Sequence, residues 1–136
     1  MNDERQSTAG RTKAFALRVI RLFDALPKRG VASVIGRQLL LCGTSVGAQC
    51  REAFRGRSDA ELVSKLEAAI QELDESIYWL ELLIESDIVR KARVAPLLTE
   101  ANEIMSILVA SVRTVKSRKE RLPVHRSSFI VHQFPH

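Results

Sequence analysis

The chain of 136 residues has little of what would mark most functional classes: two cysteines, six glycines, four prolines, three histidines, one Trp, one Tyr and 5% aromatic residues. Two thiols make no disulfide framework. Cys42 and Cys50 are eight residues apart on one expected helix, so they stand ~12 Å apart along its axis, beyond the ~7 Å that a disulfide spans. They read as reduced, small apolar core fillers. Ten glycines and prolines are too few for a sandwich or barrel, which needs a turn every ten residues or so. No uninterrupted apolar run reaches the ~18 residues of a membrane span. The opening MNDERQSTAGRTKA has no apolar centre, so no secretory signal is expected and a cytoplasmic chain is. All three histidines (His125, His132 and His136) sit in the last twelve residues, and no Glu-x-x-His pair occurs. The di-iron bundle signature is therefore absent, and neither metal nor cofactor is expected.

What is present is 46% apolar and 27% charged residues, with the charge unevenly spread. Residues 1–57 balance to +7, residues 59–87 to −8 and residues 90–136 to +6. Neighbouring helices can neutralise such segments, or the surplus bases can gather toward a polyanion.

The apolar residues recur with helical spacing. Phe15, Val19, Leu22, Phe23 and Leu26 form one stripe of a helix over about 11–26, stopped by Pro27-Lys28-Arg29-Gly30. A second helix over about 32–54 buries Ile35, Leu39, Cys42, Val46, Cys50 and Ala53. Its interior Gly36, Gly43 and Gly47 each cost about 1 kcal/mol against alanine, which predicts close approach of a neighbouring helix. Ser58-Asp59-Ala60-Glu61 is a capping box ahead of a third helix reaching about Glu85. That helix carries Leu62, Leu66, Ala69, Leu73, Leu80 and Leu83, interrupted by Ser76. Beside them runs a second stripe of Val63, Ile70, Ile77 and Ile84. A fourth helix over about 94–119 has Leu98, Ala101, Ile104 or Met105, Leu108, Val112 and Val115, with Pro96 in its first turn. Four long helices with short connections predict an all-α, antiparallel up-down-up-down four-helix bundle over 1–121. Residues 122–136 lose the helical period and form a non-helical tail, whose Phe129, Ile130, Val131 and Phe134 could dock elsewhere. The second stripe of the third helix exceeds what one core needs, and this predicts a homo-oligomer. Adjacent Tyr78 and Trp79 point about 100° apart, so one is expected in the core and the other at a subunit contact.

Chemistry-bearing patterns are weak. Gly43-Thr44-Ser45-Val46-Gly47 matches the G-x-S-x-G of a nucleophile elbow, but that device needs a strand before it and a base nearby. Here the run lies inside a helix, and packing glycines explain it better. Nor is it a phosphate loop, since no Lys follows. Arg118 precedes His125, and Arg126 precedes His132, at spacings that small helical ribonucleases use; these also arise by chance in an Arg-rich tail. Glu67, Glu72, Asp74, Glu75, Glu81 and Glu85 read as a solvated face whose carboxylates pair with bases on neighbouring helices. The bases carry more weight. Arg51, Arg55 and Arg57 bracket one break, while Arg113, Lys116, Arg118, Lys119 and Arg121 crowd the end of the fourth helix. An up-down bundle brings both groups to one end, a surface suited to backbone phosphates. Bases at a helix C-terminus also complement its dipole.

The block from Arg37 through Gly43-Thr-Ser-Val-Gly-Ala48 to Arg57-Ser58, followed by Glu61–Glu67 and Tyr78–Leu83, resembles the bacterial four-helix-bundle family first noticed in intervening sequences of 23S ribosomal RNA genes. It is also similar to the accessory protein of diversity-generating retroelements. The resemblance spans roughly Lys13 to Lys119, with Arg37, Gln38, Thr44, Ser45, Gly47, Glu52, Arg57, Ser58 and Lys65 matching the family pattern. It implies a four-helix bundle assembled as a homopentamer and a non-enzymatic role associated with RNA or DNA. In the retroelement branch it implies a reverse transcriptase as partner. The chain departs from the pattern at Leu41, usually Arg, and Gln49, usually Asn, so its motif helix lacks one cation. The function expected is an oligomeric accessory or adaptor protein that binds nucleic acid. The alternative is an oligomeric scaffold for a protein partner, with a ribonuclease third.

Overall fold

Four helices follow one another in a computed structural model that describes residues 2–121, with side chains placed from Asp3 to Arg118. They are α1 (Asn2–Ala25), α2 (Gly30–Phe54), α3 (Asp59–Glu85) and α4 (Lys91–Arg121). No strand occurs among the described residues. Connections of a few residues send each helix back along the last, and α1 closes the ring against α4. The result is an antiparallel four-helix bundle. The tail expected from Leu122 onward, with its histidines and Phe129 to Phe134, lies outside the described residues.

The core follows the helical stripes. Phe15, Val19, Leu39, Val46, Leu66, Leu73, Leu80, Leu83, Ile104 and Leu108 are fully or almost fully buried. Burial of each such side chain contributes about 1.5–3 kcal/mol before conformational entropy is counted. Val63, Ile70, Ile77 and Ile84, the second stripe of α3, are half-buried and pack against this same core. Phe23 is also only half-buried, with the Lys28 ammonium 5.0 Å from its ring centre.

Local chemistry fixes the ends of α3. The Ser58 hydroxyl accepts from the Glu61 N–H at 3.1 Å. The Glu61 carboxylate accepts from the N–H of Arg57 at 2.6 Å, one residue before the cap. At the far end Asp87 adopts a left-handed φ of 62°, and the N–H groups of Ile88 and Val89 both bond to the carbonyl of Leu83.

Two helices start earlier than the spacing predicted. The first begins at Asn2 rather than near Arg11, because Thr8 and Thr12 continue its buried face where apolar periodicity shows nothing. Thr12 satisfies its hydroxyl locally by donating to the Ala9 carbonyl at 3.1 Å. The fourth begins at Lys91, which puts Pro96 inside the helix instead of in its first turn. Pro96 has no N–H to offer the carbonyl of Ala92, so α4 forgoes one backbone hydrogen bond there. By length and composition alone α2 and α4 could cross a membrane. Part of each helix is buried in the bundle core, 39% of the apolar window of α2 and 28% of that of α4.

Candidate nucleic-acid interface

The bundle brings the end of α2, the start of α3 and the end of α4 to one pole. The Arg118 guanidinium lies 3.9 Å from the Asp59 carboxylate in the first turn of α3. Lys116 pairs with Glu67 of α3 at 3.2 Å. Arg5 of α1 reaches the same end, with its guanidinium carbon 5.4 Å from the ring centre of Phe54.

Of the eight bases expected to form a phosphate surface, these contacts engage Lys116 and Arg118. Both pairs are exposed, and such pairs contribute little, commonly about 0–1 kcal/mol. Arg51, Arg55, Arg57 and Arg113 are exposed and form no ion pair among the described residues. Arg55 and Arg57 line a shallow concavity of about 550 Å³, shared with Glu52, Glu61 and Lys65. Lys119 and Arg121 belong to the last turn of α4, and their side chains lie outside the described residues.

Several of the motif residues make folding contacts. A Cβ built on Gly47 would meet Thr12 at 3.4–3.5 Å, an ordinary van der Waals contact, so Gly47 faces α1 without being forced to be glycine. Thr44 and Ser45 each donate to a carbonyl one turn back in α2, those of Leu40 and Leu41, at 2.7 Å. Ser45 therefore sits in a continuous helix with its proton engaged, which is not the geometry of a nucleophile elbow. Glu52 pairs with Lys65 at 2.7 Å across the α2–α3 seam, and Ser58 is the helix cap. Arg37 donates to the Ser33 hydroxyl at 2.9 Å, and Gln38 is exposed on the same helix. The pairing of Glu52 with Lys65 was not drawn from the sequence, although both belong to the quoted block; it follows from antiparallel packing about one short turn.

A family model described as "23S rRNA-intervening sequence protein" matches residues 6–110. The chain belongs to this family. Among solved structures, it is similar to a protein with unknown function from the S23 ribosomal protein family of Bacteroides thetaiotaomicron VPI-5482. Sequence identity is 30% and the TM-score 0.75, over 81% of this chain and 98% of that one. No curated protein matches. As a 23S rRNA-intervening sequence protein, the chain carries the family's match across α1–α3 and most of α4, stopping short of the basic end of α4.

The buried thiols offer no reactive centre. Cys42 Sγ lies 3.2 Å from the Ser76 hydroxyl, and burial raises its pKa. Burial pushes Cys50 up to about 11. A thiol raised in this way stays protonated near neutrality and is a poor nucleophile or metal ligand. No group of three metal-ligating side chains occurs among the described residues.

Proposed function

We propose that the protein is a non-enzymatic, homo-oligomeric accessory or adaptor protein that binds RNA or DNA through backbone phosphates. The observation that carries this reading is that Arg51, Arg55, Arg57 and Arg113 are exposed without a carboxylate partner among the described residues. Phosphates are natural partners for such cations, and Arg holds them in a two-pronged grip. Lys116 and Arg118 join by exchanging Glu67 and Asp59 for phosphate. Lys119 and Arg121 extend the same cluster in sequence.

Self-association is supported by the outer face of α2. Val31, Val34 and Leu41 are 65%, 55% and 64% exposed, at spacings of three and seven residues that align them on one stripe. An aligned apolar stripe, unlike scattered single residues, marks a contact surface. Five copies is the number implied by the family resemblance. A ring repeats the basic pole, so weak phosphate contacts add through multivalency.

The same stripe favours the second reading, a scaffold that docks a protein partner such as a reverse transcriptase. Salt separates the two, because phosphate binding weakens steeply with ionic strength and apolar docking does not. The test is affinity for a generic duplex at several salt concentrations, wild type against Arg113→Ala/Lys116→Ala. Loss of slope in the variant supports the first reading; absence of binding by the wild type at low salt promotes the scaffold. Cleavage of RNA that disappears in His125→Ala would promote the ribonuclease instead.

A further inference from the structure

The opposite end of the bundle carries a second set of free cations. There the α1–α2 connection meets the α3–α4 connection around a cavity of about 470 Å³, walled by Leu22, Leu26, Pro27, Ile88 and Val89, with Arg90 and Arg93 also lining it. Arg29 follows Pro27 and Lys28 at the tip of the α1–α2 connection. It is the extended residue that precedes α2, and it makes no side-chain capping bond. Arg21 lies on the last turns of α1, and Lys91 between the two cavity arginines.

None of Arg21, Arg29, Arg90, Lys91 and Arg93 forms an ion pair among the described residues, and all five are exposed. Lys28 differs, because its ammonium donates to the carbonyls of Phe23 and Asp24 at the end of α1. The acids in these same stretches are Asp24, Glu85 and Asp87. They are too few to neutralise the cations, and none engages an arginine among the described residues.

The backbone beneath the arginines is held in place. Ile88 and Val89 fold back onto the Leu83 carbonyl, and Arg93 N–H bonds to the Arg90 carbonyl at 3.0 Å. Arg90 directly precedes α4 and Arg93 lies in its first turn, and both side chains line the cavity, so they present their charge together. Neither α2 nor α4 has an acid in its first turn, whereas α1 has Asp3 and Glu4 and α3 has Asp59 and Glu61. The acids at helix starts therefore collect at the pole where the bases were first expected, and leave this one freer. At that first pole Lys65, Lys116 and Arg118 each face a carboxylate in an exposed pair.

We propose that this end of the bundle is a second phosphate-contacting surface, on which Arg29, Arg90 and Arg93 hold the phosphodiester backbone of a nucleic acid across the cavity between the two connections. The inference rests on the nucleic-acid reading above and adds a location to it. The two poles lie at opposite ends of helices of 24 to 31 residues, so one strand engaging both must run along the bundle or pass between copies.

The experiment measures fluorescence anisotropy of a labelled DNA duplex and of an RNA duplex of the same sequence against the full chain, across a salt series. Arg90→Ala/Arg93→Ala should lower the slope of log affinity against log salt by about two, close to one unit per lost phosphate contact. Arg29→Ala, on the other connection, should lower it by about one. Arg113→Ala/Lys116→Ala reports on the first pole alone, and circular dichroism confirms that every variant remains helical. If the wild type binds and both second-pole variants keep its slope, the proposal is overturned while the nucleic-acid reading stands. If the wild type binds neither duplex at low salt, both fall. A loss confined to one duplex type supports the site and identifies its ligand.

Discussion

Val19 and Gly43 set how near α1 comes to α2. A Cβ on Gly43 would lie 2.9 Å from Cγ2 of Val19 and 3.0 Å from its Cγ1, closer than real carbon contacts allow. The β-branched side chain of Val19 is fully buried and has nowhere to withdraw. The glycine therefore exchanges helix propensity for interhelix packing, the trade that its place mid-helix implies.

Gly43→Ala should lower the stability of the bundle by about 1–3 kcal/mol, as overpacking outweighs the gain in propensity. Gly10→Ala provides the contrast. Nothing lies within 4 Å of a Cβ there, so it should stabilise α1 by about 0.5–1 kcal/mol. Denaturant midpoints of the two variants against the wild type read both effects; a stabilised Gly43→Ala would contradict the packing account.

Arg11 holds two carboxylates of α4, Glu100 through two nitrogens at 2.9 and 2.7 Å and Glu103 at 2.7 Å. The guanidinium keeps the Glu100 carboxyl below the usual range, and the two acids raise the pKa of Arg11. Because the folded pKa of Glu100 is depressed, its contribution is present above the unfolded value and disappears as pH falls through the folded one. Urea midpoints should therefore drop in acid by more for the wild type than for Glu100→Gln. At neutral pH Arg11→Ala should cost about 1 kcal/mol or less, since the pair is partly exposed. Equal acid sensitivity in both chains would remove the pair from the account.

The thiols should resist labelling in the native state. Cys50 is raised to about 11, above its unfolded value, by burial alone. Its contribution to stability is thus complete below the unfolded pKa and lost as pH rises through the folded one. Alkylation of Cys42 and Cys50 at neutral pH should proceed no faster than the helices open, with both sites reacting rapidly in denaturant. Fast native labelling would show that the α2 core is not closed.

Val34→Glu/Leu41→Glu should lower the mass measured by light scattering at micromolar concentration while leaving helicity intact. Both residues are more than half exposed, so the isolated fold loses little by the change. An unchanged mass would move the subunit contact elsewhere, and a wild-type monomer would remove it altogether.

Much of the fold was legible because packing here is periodic. The stripes of α2 and α3, the Ser58 cap and the close-approach glycines all follow from residue type at a fixed spacing. The start of α1 was hidden because Thr8 and Thr12 do apolar work while polar in name. The convergence of basic ends followed from topology, and Glu67 was expected to pair with a base on a neighbouring helix, but its match to Lys116 and that of Asp59 to Arg118 were not legible. That depends on interhelix register, which one sequence does not state. The second basic pole was passed over because its residues are few in each connection and become a group only when two connections meet.

The arginine clamp of α1 on α4 also ranks the helices by how easily each can leave. The α1–α4 seam is the thinnest of the four and the α2–α3 seam the most extensive. Near the chain start a cleft of about 520 Å³ lies between α1 and α4, with Phe54, Leu62 and Leu66 along its floor. Fluctuations should therefore open the bundle like a hinged stave, with the first turns of α1 swinging out while the α2–α3 hairpin stays closed. In hydrogen exchange the amides of α1 before Arg11 would then trade first and those around Leu73 last, a gradient running across the barrel wall.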